Sequence, residues 1–95
     1  MNDTQSLANQ LGWCITTKDY LNNLNAEMRY VANQYEELVL MLKQQQYFAE
    51  LLNTMQIMQQ EFQNSTNDLI KHIETEHLAY IEEQSKQIRA VLSEL

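Results

Sequence analysis

Apolar side chains recur along residues 21–42 at alternating steps of three and four: Leu21, Leu24, Met28, Val31, Tyr35, Leu38 and Leu42. Such spacing is the seam of an α-helix that packs lengthwise on another helix, because a repeat near 3.5 residues holds one edge against the partner. Glu27, Arg29, Asn33, Gln34, Glu36 and Glu37 fall mostly on the other edge. At Leu38-Val39-Leu40-Met41-Leu42 the apolar surface widens around the helix. One neighbour cannot cover a helix that is apolar all round. That end therefore predicts the centre of a bundle or an interface with another chain.

Lys43-Gln44-Gln45-Gln46 interrupts the seam, and a second one follows through Phe48, Leu51, Leu52, Met55, Met58 and Phe62. Residues 63–68, Gln-Asn-Ser-Thr-Asn-Asp, are the strongest breaker cluster, with Ser65 and Asp68 at capping-box spacing. The last stretch is seamed by Leu69, Ile73, Tyr80, Ile88, Val91 and Leu95. If the helix is continuous from Phe62, the seam follows an 11-residue period with Thr66, His77 and Gln84 as polar members. A bend fits at 43–47, where it makes near-equal arms, or at 63–67, where the local chemistry is better. A chain with no bend would have to dimerise.

Residues 1–15 read as a short N-terminal helix and an apolar junction. Asn2 or Asp3 is its N-cap, Gly12 lies just past its end, and Trp13 and Cys14 follow. The simplest role for Trp13 is a plug at the end of the helical core; the sharper one is an anchor for a partner. Cys14 reads as a small buried hydrophobe. Thr16 and Asp19 have capping-box spacing, so the first long helix is predicted over 16–43 and the second over 47–95, broken or unbroken at 63–67.

Composition supports helices and little else. Among 95 residues there is no proline and one glycine, which leaves almost no turn chemistry for a sheet. Asn and Gln number 21, against 19 charged residues, so much of the polar surface is neutral. The net charge of −7 argues against a phosphate backbone or an anionic membrane, both of which select basic patches. No nucleic acid is expected as a partner. The longest apolar run, Leu38 to Leu42, is far short of the ~20 residues a membrane span needs. The first residues lack the basic and apolar regions of a secretory signal peptide, so the expectation is a cytoplasmic chain, or one exported without such a signal.

No pattern carries catalytic chemistry, and no enzyme activity, cofactor or metal is expected. A lone cysteine excludes an intramolecular disulfide and the usual Cys/His zinc spacing. Glu74 and His77 share the Glu-x-x-His spacing of helical di-metal proteins, but those sites need two copies and further glutamates. His72 and Glu76 lie one helical turn apart and read as a solvated pair. One glycine forbids a phosphate-binding loop.

The plan of the chain resembles the small Trp-X-Gly, or early-secreted-antigen-like, helical-hairpin proteins of bacterial type VII secretion. Shared features are the length, the acidic balance, the absence of proline and the two amphipathic arms. Leu42-Lys43-Gln44 stands where that family carries Trp-X-Gly, and Gln84 follows Tyr80 where its Tyr-X-X-X-Asp/Glu export signal has an acid. The resemblance implies a four-helix homo- or heterodimer, in which this chain is an accessory hairpin or targeting chaperone whose partner carries the signal. The residues predict an all-α fold, a long antiparallel hairpin with a short N-terminal helix, and with the resemblance the expectation is that another copy or a helical partner protein completes it into a four-helix bundle or coiled coil. A structural coiled-coil subunit and an acidic inhibitor are the alternatives. The expected partner surface comprises Trp13 and the two seams with the surplus residues Val39, Leu40 and Met41.

Overall fold

The computed structural model describes residues 2–45 and 49–95. All regular structure among them is helical: α1 (Asn2–Gln44), α2 (Ala49–His72), a π-helical segment (Ile73–Leu78) and α3 (Ala79–Glu94). The fold is all-α.

α1 absorbs the segment expected as a short N-terminal helix. Gly12 and Thr16 lie inside it, and 43 residues run without interruption. An interior glycine costs only ~1 kcal/mol relative to alanine. That is less than is gained by carrying Leu11 and Cys14 forward on the same edge as Leu21. The predicted break at 63–67 is likewise absent, since all five residues lie inside α2. Thr66 and Ile70 are buried there, and Gln60 donates one turn on to Asn64 at 3.2 Å. Burial and side-chain ladders outweigh the weak helix propensity of Asn and Ser. The bend predicted at 43–47 falls only partly on described residues. Lys43 and Gln44 are helical, and Gln45 forms a turn with its N–H donating to the Leu42 carbonyl at 3.2 Å. Residues 46–48, including Phe48, lie outside the described residues.

The chain forms two compact units. The first joins residues 1–24 to 72–95, and the second comprises residues 25–71. Within each, the helices pair antiparallel. In the first, Lys18 meets Glu82, while Cys14, one turn earlier, packs with Ile81 and Ile88 among Leu7, Leu11, Leu21 and Leu92. In the second, Tyr35 meets Phe62 with ring centroids 5.5 Å apart. One turn later, Val39 and Lys43 share a cleft with Leu52, Asn53 and Gln56.

The seam that makes these pairings is not the one the apolar stripe predicts. The inward positions of α1 are 7, 11, 14, 21, 25, 28, 32, 35, 39 and 42, a heptad alternation of four and three interrupted only at Lys18, which is exposed. Leu21, Met28, Tyr35 and Leu42 belong to both registers. Between them the chain buries Asn25, Ala32 and Val39, and leaves Val31 and Leu38 exposed with Leu24 at the margin. Asn25 is only 2% exposed, and its side-chain oxygen accepts no hydrogen bond. A polar group at a core position of a helix pair fixes register at a cost in stability.

A second departure lies in the π segment. The Ala79 N–H donates to the Glu74 carbonyl, five residues back, and the backbone stays helical at both junctions. One extra residue per turn advances the seam by one position. Up to Ile73 the buried series on this strand of helix is Gln59, Thr66, Ile70 and Ile73; beyond it come Ile81, Ser85 and Ile88. Without the extra residue, His77, Tyr80 and Gln84 would face inward, as the 11-residue reading expected. Instead His77 and Tyr80 are exposed, Val91 and Leu69 are also outside, and Leu78 and Ile81 take the inner places.

Candidate protein-interaction face

The displaced register decides where the apolar surplus goes. Label the inward positions a and d; the positions that flank them are e on one side and g on the other, with c beyond g. In the second unit, Val31 and Leu38 occupy g on α1 and Met41 occupies c. On α2, Met55, Phe62 and Leu69 occupy g, and Leu51 and Met58 occupy c. The e positions of the two helices, Lys43 and Asn53, share one cleft. The g positions therefore share the opposite side, which the contact between Tyr35 and Phe62 also requires. A groove on that side of α1 is lined by Val31, Tyr35, Leu38 and Met41 with Gln34 and Glu37.

Val31, Leu38, Met41, Leu51, Met58, Phe62 and Leu69 are each between 38% and 56% exposed. At ~150–200 Å² per side chain, about half exposed, they present on the order of 650 Å² of apolar surface. That exceeds the ~300–600 Å² of the largest patch on an ordinary monomer and approaches the ~800 Å² that one side of a stable interface buries.

The first unit has its own apolar side. Trp13 is 62% exposed at a c position and borders a groove shared with Cys14, Tyr80, Ile81 and Ile88. Trp13 therefore does not plug a core: α1 continues past it, and the adjacent Cys14 takes the inward place at 4% exposure. On the e side of this unit, the Lys18 ammonium lies 2.7 Å from a Glu82 carboxylate oxygen. That hydrogen bond, aided by the charge of Lys18, holds the Glu82 carboxyl below its ordinary pKa.

The residues predicted to bind a partner thus divide. Leu21, Leu24, Met28, Tyr35, Leu42, Leu52 and Met55 are part-buried along the helix pair, and Val39 is fully buried. Trp13, Val31, Leu38, Met41, Leu51, Met58 and Phe62 are exposed, and so is Leu40, at position b on another side of α1. The broadly apolar end at Leu38–Leu42 accordingly sends Val39 and the part-buried Leu42 inward and Leu38, Leu40 and Met41 outward. The sequence pattern overlooked Asn25, Ala32, Gln59 and Ile70 as seam residues. The four-and-three alternation from Leu7, interrupted only at Lys18, was the signal that could have found the α1 members. It also gave no weight to Tyr20, Tyr30 and Ile57, all exposed.

The polar constellations do not converge. The His72 ring meets His77 edge-on with centroids 5.3 Å apart, a pairing that the π turn creates between residues five apart. Among the described residues there is no cluster of three or more His, Cys, Asp or Glu able to hold a metal ion. Nor, among them, is any helix long and apolar enough to cross a membrane. No known family model, curated protein or solved structure matches the chain.

Proposed function

We propose that the chain is a non-enzymatic protein-interaction module whose apolar g/c side docks a helical partner and completes a bundle with it. One observation carries this reading. Among the described residues, 16 large apolar side chains are exposed, and those on the g/c side of the second unit form one continuous apolar face that the helix pair does not cover. Helix pairs of this kind are marginal in water until a further helix covers their open side. Amphipathic helices dock on such surfaces through anchors at i, i+3 or i+4 and i+7.

In its finer form, the module is a partner or targeting chaperone for a type VII secretion effector. The support is the plan shared with the Trp-X-Gly hairpins: length, acidic balance, absence of proline and two amphipathic arms. The test is capture from native lysate by the full chain and by a Leu38→Glu, Met58→Glu double variant, with mass determination of what each retains. The reading expects a stoichiometric protein held by the native chain and lost by the variant at unchanged helix content. A large secreted protein with a helical N-terminal region would support the finer form. Retention that ignores both substitutions would overturn the use of this face.

A further inference from the structure

We propose that the occupant of the apolar face in the second unit is an amphipathic helix flanked by Lys and Arg, supplied by a different protein rather than by a second copy of this chain. The inference rests on the interaction reading above and adds the chemistry of the partner. The face is formed by Val31, Leu38 and Met41 of α1 and by Leu51, Met58 and Phe62 of α2. Around it the charges are of one sign. Glu27 occupies c, and Glu37, Glu61 and Asp68 occupy f, the next position outward; all four are exposed. The cations of this unit sit elsewhere: Arg29 and Lys43 at e, on the opposite side of the helix pair, and Lys71 at b. Lys43 is placed there directly by the cleft it shares with Val39 and Asn53.

Acids also occur outside the rim, Glu36 at e and Glu50 at b, but among the described residues of this unit no cation occupies g, c or f, and that distinguishes among occupants. A helix with basic flanks would set its cations against this acidic rim, gaining both affinity and a faster encounter. A second copy would bring its own acidic rim, and like charges across an interface oppose association. A membrane surface would meet the same acidic rim, which anionic lipid repels.

The test uses two synthetic amphipathic helices with the same leucine stripe, one flanked by Lys and one by Glu, each labelled and titrated with the full chain by fluorescence anisotropy. The Lys-flanked helix is expected to bind at least about tenfold more tightly, from several rim pairs each worth a few tenths to 1 kcal/mol. The ratio should fall towards unity in ~1 M salt, where the Debye length is about 3 Å. Glu37→Lys with Glu61→Lys leaves two acids against two cations on the rim and should bring the ratio towards unity, and Leu38→Glu should weaken both peptides at unchanged helix content. Equal binding of the two peptides at low salt overturns the charge assignment while leaving the apolar face standing. Binding of neither, with Leu38→Glu inert, overturns the interaction reading as well. Exclusion of both peptides by concentration-dependent self-association assigns the face to a second copy and overturns the proposal.

Discussion

Val39 and Leu38 are neighbours with opposite fates, and a carboxylate placed at each separates the two possible seams. Val39 is 3% exposed and Leu38 is 47% exposed. Replacing Val39 with Glu forfeits about 1.5–2 kcal/mol of apolar burial. The new carboxyl must then be desolvated or protonated. Protonating a group of ordinary pKa ~4.3 at pH 7 costs about 3.7 kcal/mol, which caps the charge contribution. The total is ~5 kcal/mol, comparable to the whole stability of a small domain with a thin core. Leu38→Glu keeps its charge in water and loses only part of one side chain's burial, about 1 kcal/mol. Urea denaturation followed by far-UV circular dichroism measures both. Val39→Glu should be largely unfolded at neutral pH and should regain helix near pH 4, as its carboxyl protonates. Leu38→Glu should shift the midpoint slightly at unchanged slope. If Leu38→Glu is the more damaging of the two, the seam is the 24/31/38 stripe and the register described here is wrong.

Three further outcomes follow from particular positions. A Cβ at Gly12 meets nothing within 4 Å in the middle of α1; Gly12→Ala should therefore raise stability by about 0.5–1 kcal/mol in the same urea assay. Deleting Glu76 removes the extra residue of the π segment and lets an ordinary α-helix keep Leu78 and Ile81 inward. Its cost should stay within about 1 kcal/mol, whereas deleting Asn64 slips one part of α2 against the other and should cost more than about 3 kcal/mol. Lys18 lowers the Glu82 carboxyl in the folded chain, so the stabilisation is complete above the ordinary carboxylate pKa and is lost as pH falls through the depressed folded value. Glu82→Gln should accordingly lie slightly below the native chain in midpoint at neutral pH and low salt. It should converge with the native chain in acid and in ~1 M salt, because an exposed ion pair is weak and screened.

The helical character of the chain was legible in its residues, and so was half of its seam. With no proline and one glycine, nothing in the composition could build a sheet, and Leu21, Met28, Tyr35 and Leu42 lie inward or nearly so in either register. The other half was misread because Leu24, Val31 and Leu38 are more apolar than Asn25, Ala32 and Val39. Hydrophobicity alone favours the first set. Phase favours the second, since it carries the alternation back through Leu11, where the first would take Gln10. The small Ala32 also lets the facing helix approach closely. Residues 63–68 misled for a related reason: poor helix formers stop a helix only when no burial holds it, and here Thr66 and Ile70 are buried. The π segment, Ile-Glu-Thr-Glu-His-Leu, has no composition of its own. Its sign is that inward apolar residues before and after it differ in phase by one position, which a single regular period smooths over. The surplus surface at Leu38–Leu42 was visible as excess, but its side of the helix depended on the register.

The register, and with it the identity of the exposed face, is most directly measured by the rates at which the methionines oxidise in dilute hydrogen peroxide, followed by peptide mass spectrometry on the native chain. Met41 and Met58 are exposed at c positions, while Met28 and Met55 are part-buried between the helices. A thioether in contact with solvent reacts faster than one packed against neighbours. The expected result is that Met41 and Met58 become sulfoxides first, and that a bound helical partner protects both. Faster oxidation of Met28 and Met55, or one common rate for all four, would contradict the account.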